Sequence, residues 1–73
     1  MIYSYTFAGE TFSISQKPNG YYRVALFVDG ARVVIGTAID LETARQIIFQ
    51  QLRAMGYKPS YIKEEDLTKG EEQ

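Results

Sequence analysis

A chain of 73 residues, 45% hydrophobic and 23% charged, has room for one small domain with a packed core, and that composition argues against disorder. It contains no cysteine and no histidine, which removes disulfides, thiolate metal sites, a thiol nucleophile and the commonest general base. The net charge of −1 hides a partition: residues 1–63 carry seven Lys or Arg against four Asp or Glu, a net +3, whereas residues 64–73 carry one Lys against five acids, a net −4.

Residues 1–9 have neither the basic start nor the apolar centre of a signal peptide. No apolar run approaches the ~20 residues that span a bilayer, so a soluble, intracellular (cytoplasmic) protein without a membrane partner is expected. The first residues then alternate. Tyr3, Tyr5, Phe7, Phe12 and Ile14 fall on one face and Ser4, Thr6, Thr11, Ser13 and Ser15 on the other, as in a half-buried antiparallel pair. Gly9-Glu10 reads as a type II′ turn, which pairs Phe7 with Phe12 and Tyr5 with Ile14.

Lys17-Pro18-Asn19-Gly20 is the next punctuation. Proline presets φ and Gly20 supplies the left-handed residue of a three-residue loop with a bulge, which sets Ile14 beside Val24 and Phe12 near Leu26. Asp29-Gly30 is a type I′ signal that pairs Val28 with Ala31, Phe27 with Arg32, Leu26 with Val33 and Val24 with Ile35. All three turns agree on one buried face, continued through Tyr22, Val24, Leu26 and Val28.

Beyond Ile39 the period changes from two to about 3.6. Leu41, Ala44, Ile48, Leu52 and Met55 form a helical stripe, with Asp40 as N-cap, Gly56 as stop, Glu42 in the first turn and Arg53 in the last. Ile47 and Phe49 flank the stripe and are expected to cap the edges of the core, a self-association surface being the alternative. Tyr57 to Lys63 is expected to lie back against the core through Tyr61 and Ile62. From Glu64 onward an acidic mobile tail is expected, with Leu67 as an isolated contact. The expected fold is α+β: a four-stranded antiparallel meander with one helix on one face, two layers, in a single domain of residues 1–63 followed by the tail of residues 64–73.

This register puts Lys17, Tyr21, Arg23, Phe27, Arg32 and Val34 on the face away from the helix, together with Ala25 and Ala38. The surface is cationic and aromatic on the third and fourth strands and rich in Ser and Thr on the first two. An apolar patch rimmed by positive charge suits a contact surface. The plainer alternative is a cross-strand pair, with the Arg32 guanidinium over the Phe27 ring worth about 0.5 kcal/mol.

Catalysis has little support. Asp29 belongs to a turn, Asp40 and Glu42 to a helix start, and no glycine-rich loop precedes a helix. No catalytic residue, metal ligand or cofactor is expected.

The run YYRVALFVDGARVVIGTAIDLETARQIIFQQL resembles the β-β-β-α pattern of plant ethylene-response-factor DNA-binding domains and of the amino-terminal arm-binding domains of phage and transposon integrases. The matching features are the aromatic strand start with Arg23, the hairpin into Arg32-Val33-Val34-Ile35-Gly36-Thr37, and the helix opening near Glu42-Thr43-Ala44. The resemblance implies a sheet face entering the DNA major groove, with Arg23 and Arg32 as contacts and Tyr21 and Lys17 beside them. The middle strand, Val24 to Val28, carries no arginine, and the net charge is negative. Those two features favour a small non-catalytic protein-binding module, in size and style like an accessory or inhibitor protein of a phage or mobile element. A nucleic-acid-binding domain using the same face is the first alternative, and a homo-oligomer packing through the open face or a sheet edge is the second.

Overall fold

Alternating apolar and polar side chains from Ile2 to Ala38 form four strands, β1 (Ile2–Phe7), β2 (Glu10–Gln16), β3 (Tyr22–Val28) and β4 (Ala31–Ala38), followed by helix α1 (Leu41–Ala54). A short 3-10 turn (Glu64–Asp66) leads to a fifth strand, β5 (Thr68–Gly70). The computed structural model describes residues 2–70. The sheet is antiparallel with strand order β4-β3-β2-β1-β5, and α1 packs on one face of it, against β3 and β4.

Two of the three turns form as their residues require. Gly20 has φ +91°, its N–H donates to the Lys17 carbonyl at 2.9 Å, and Ile14 pairs with Val24 and Phe12 with Leu26. Asp29 and Gly30 both have positive φ, 52° and 82°, the signature of a type I′ turn closing Val28 on Ala31. The first turn is one residue earlier than its sequence suggests. Ala8 (φ 51°) and Gly9 (φ 84°) make a type I′ turn, so Phe7 pairs with Glu10, Tyr5 with Phe12 and Tyr3 with Ile14. The strands are displaced by two residues relative to the expected pairing, so every side chain keeps its face.

A second correction falls on β4. The register slips between Val24 and Ala25, so that Ala25 pairs with Val34 but Val24 pairs with Gly36, leaving Ile35 as the extra residue of a β-bulge. Past the bulge the faces exchange. Gly36 and Ala38 turn toward the helix, and Ala38, expected on the open face, is buried in the core. Gly36 has a packing reason to be glycine: a Cβ there would stand 3.2 Å from Ile47 Cδ1, so its absence lets α1 settle onto β4.

The core joins Phe12, Ile14, Val24, Leu26 and Ala38 of the sheet to Ala44, Ile48 and Leu52 of α1 and to Ile62. Ile47, Phe49 and Leu41 pack partly buried around it, while Met55, at the end of the stripe, is exposed. Both helix ends are satisfied. The Asp40 carboxylate accepts from the Thr43 N–H at 2.8 Å, and that hydrogen bond holds its pKa below the usual carboxylate range. At the other end Gly56 (φ +95°) donates to the Arg53 carbonyl and Tyr57 to the Leu52 carbonyl, both at 3.0 Å, a Schellman closure.

The chain then returns across the helix-bearing face. Ile62 is 1% exposed whereas its neighbour Tyr61 is 55% exposed, so of the two expected contacts only Ile62 enters the core. Tyr57 sets its ring edge-on to Phe7 at 5.8 Å and donates its hydroxyl to the Glu10 carboxylate at 3.0 Å, a bond that raises the phenol's pKa. The expectation of a tail from Glu64 is corrected as far as Gly70. Asp66 accepts from the Lys63 N–H at 2.9 Å, Leu67 packs against the core, and β5 pairs with β1 through Ile2–Gly70, Tyr3–Lys69 and Ser4–Thr68. Residues 71–73, the end of that expected tail, lie outside the described residues.

Candidate partner-binding face of the sheet

The face turned away from α1 is built of cross-strand rows whose order follows from the pairing. One row runs Thr68, Ser4, Ser13, Ala25, Val34; the next runs Gly70, Ile2, Ser15, Arg23, Thr37. Phe27 faces Arg32 in a third, toward the Asp29-Gly30 turn. Along β3 the same face therefore reads Arg23, Ala25, Phe27. A small residue sits between two large ones.

That spacing shapes the surface. Arg23, Phe27, Arg32 and Val34 are exposed, yet Ser13, Ser15 and Ala25 between and beside them are buried although no described helix or loop covers this face. The small side chains thus lie between larger exposed neighbours on β3 and β4. The Ser13 hydroxyl is buried there with no hydrogen-bond partner.

Four of the six residues read as a site thus come together on one patch: Arg23, Phe27, Arg32 and Val34. Lys17 and Tyr21 lie at the end of the face, in the β2–β3 loop. The Lys17 N–H donates to the Tyr21 carbonyl at 2.7 Å, and the Tyr21 N–H donates to Asn19 Oδ1 at 3.1 Å. The Tyr21 side chain borders a separate groove with Thr37, Ile39 and Thr43, so it stands between the open face and the helix start. The burial of Ser13 and Ala25 is a feature that reading missed. Its only signal was small residues placed opposite one another on neighbouring strands.

Charge on this face is of one sign. Among the described residues its strand positions hold Arg23 and Arg32 and no Asp or Glu, with Lys17 nearby. The acid nearest in sequence, Asp29, is exposed in the hairpin turn at the end of this face, whereas Glu10 accepts from Tyr57 and Asp40 caps the helix start. The one arginine lying over an aromatic ring among the described residues is Arg53, 5.8 Å from the Phe49 centroid on α1. The expected stacking of Arg32 on Phe27 is therefore not formed, which leaves both groups open to a partner.

Among the described residues no three Asp, Glu, His or Cys gather as a metal-binding group, and no helix is long and apolar enough to cross a membrane. Comparison with known protein families, with curated proteins and with solved structures found no match.

Proposed function

We propose that this protein is a small non-catalytic protein-binding module that engages its partner through the open face of the sheet. Arg23, Phe27, Arg32 and Val34 form the contact centre, and Lys17 and Tyr21 extend it. The observation that carries this reading is a sheet face turned away from α1 where the exposed side chains of Arg23, Phe27, Arg32 and Val34 stand beside buried Ser13, Ser15 and Ala25. Arginine and aromatic side chains are the usual energetic anchors of protein interfaces. A face whose described strand positions carry cations and no carboxylate selects a segment that presents Asp or Glu around an apolar group. An accessory or inhibitor role, which needs a surface and no chemistry of its own, fits such a module.

Selection of a random displayed-peptide library on the folded protein tests this. Enriched peptides should carry acidic residues beside an apolar one, and Arg23→Ala with Arg32→Ala should weaken them at least tenfold, the equivalent of ~1.4 kcal/mol. Phe27→Ala should do the same. No enrichment, or peptides that bind the arginine variant equally well, would reject the open face as a protein site.

Nucleic acid is the second reading, favoured by the single sign of charge on a face that also presents Phe27 and Tyr21. Fluorescence anisotropy with mixed-sequence duplex and single-stranded DNA and RNA at two salt concentrations separates the two. Binding that weakens with salt, and whose salt slope becomes shallower in the arginine variant, would assign the face to nucleic acid.

A further inference from the structure

The chain has a single asparagine, Asn19, and it precedes Gly20 in the loop between β2 and β3. The amide carbon of an asparagine can close a five-membered ring on the nitrogen of the next residue. Glycine in that place offers no side chain to obstruct the closure.

The loop that holds this pair is open to water and lightly tied. Pro18, Asn19, Gly20 and Tyr21 are all exposed, and a Cβ built on Gly20 would meet no atom within 4 Å. Asn19 Oδ1 accepts from the Tyr21 N–H, two residues on, at 3.1 Å. That Asx turn folds the side-chain amide back along the Asn19-Gly20 peptide, and the donor polarises the amide carbonyl. The tie that opposes reaction is the Gly20 N–H donating to the Lys17 carbonyl at 2.9 Å, because it engages the nitrogen that would attack. The Lys17 N–H donates to the Tyr21 carbonyl at 2.7 Å and closes the hairpin on its own, so the Gly20 bond can open while β2 and β3 stay paired.

We infer that Asn19 is a site of spontaneous deamidation in the folded protein, through a succinimide formed with Gly20. The Gly20 nitrogen gives up its proton to solvent and bonds to the Asn19 side-chain amide carbon. The bond from that carbon to the amide nitrogen breaks, and ammonia leaves after taking up a proton. Water then opens the ring at either carbonyl, and no oxidant or reductant is needed. Opening at the side-chain carbonyl leaves aspartate at position 19. Opening at the main-chain carbonyl leaves isoaspartate, with Gly20 attached through the side chain and one extra methylene in the backbone. Both products place a negative charge two residues from Lys17, where the loop had none. Aspartate keeps an acceptor for the Tyr21 N–H, whereas isoaspartate lengthens the loop and displaces the two Lys17 hydrogen bonds that shape it. Neither step needs a partner or the open face of the sheet.

Incubation of the full chain at neutral pH, folded and in guanidinium chloride, tests this by intact-mass spectrometry, with circular dichroism to follow folding. Each conversion adds one dalton as ammonia is exchanged for water. Breaking one exposed hydrogen bond should slow conversion in the folded chain by no more than about tenfold relative to the unfolded one. Fragmentation of the product should find isoaspartate together with aspartate at position 19, and the Asn19→Asp variant should gain no mass. Slower conversion in the folded chain than that, or none, would mean that the loop reacts only when the whole domain unfolds, and would overturn the inference. A mass gain that persists in Asn19→Asp, or a product that is aspartate alone, would overturn it as well.

Discussion

Ile62→Ala is the perturbation that most directly tests how the chain after α1 is held. Ile62 is 1% exposed and belongs to the core cluster with Ile48 and Leu52, although it sits in a segment with no regular secondary structure. The substitution removes three carbons, a transfer loss of roughly 2.4 kcal/mol at ~0.8 kcal/mol per buried methylene. The cavity left behind raises the cost into the range of about 2.5–4 kcal/mol. A domain of this length has a total stability of roughly 4–11 kcal/mol, so the loss is a large share of the whole. Tyr61→Ala supplies the contrast: its side chain is mostly in solvent, and the expected change is within ~0.5 kcal/mol. Urea unfolding followed by circular dichroism reads both. Amide exchange adds a local test, because β5 follows Ile62 by only a few residues and its pairing with Ile2 and Ser4 should lose protection first. A loss below about 1 kcal/mol for Ile62→Ala, or an equal loss for Tyr61→Ala, would refute the assignment of this segment to the core.

Other substitutions probe the turns, the bulge and the helix cap. Gly36→Ala should destabilise by about 1 kcal/mol because the new methyl meets Ile47 Cδ1, and should become neutral or stabilising in an Ile47→Val background; denaturant unfolding of the four proteins should show that coupling. Ala8→Asn should stabilise by roughly 0.5–1 kcal/mol in the same assay, since Ala8 has φ 51° in a type I′ turn that favours Asn-Gly. Asp40→Ala should lower the melting temperature at pH 7. Because the native carboxyl has a lowered pKa, the stability it contributes is present above the unfolded value near 3.8 and fades as pH falls through the native one, so the gap from wild type should close in acid.

The parts of this fold that turn chemistry specifies could be read from the residues alone. Pro18-Asn19-Gly20 and Asp29-Gly30 each demand one backbone path, and the paths they demand are the ones formed. Ala8-Gly9 escaped because alanine at positive φ violates local preference, and only the pairing of Tyr5 with Phe12 over the core holds it there. The bulge escaped for a different reason. Val33, Val34 and Ile35 are three β-branched residues in a row, so the sequence carries no phase that says which of them faces the helix. β5 could not be seen at all in a short polar stretch, because its three residues are a strand only through the β1 backbone beside them. On the open face the large residues were legible by alternation, which does not depend on where a turn begins so long as parity is kept.

Arg23 and Arg32 stand among Val, Leu and Phe because β3 and β4 have two unequal faces, and the arginines occupy the one that α1 does not cover. The bulge adds a consequence. Had β4 run regularly, Ile35 would have faced Val24 under the helix and Ala38 would have lain on the open side; with one residue inserted, Gly36 and Ala38 go under α1 and the helix approaches the sheet closely at that end. The same insertion leaves Ala31 to Val34 standing beyond the helix, where Val33 and Val34 are exposed on opposite sides of one edge. Close packing at one end of β4 and an apolar free edge at the other are therefore two results of a single extra residue. Deleting Ile35 is the corresponding experiment. It should leave Gly36 opposite Val24 and Ala38 opposite Tyr22 while removing the half-buried Ile35 side chain from the edge of the core, at a cost of about 1–3 kcal/mol measured by denaturant unfolding. Retention of full stability would mean that Ile35 adds nothing to the packing of β4 against the core.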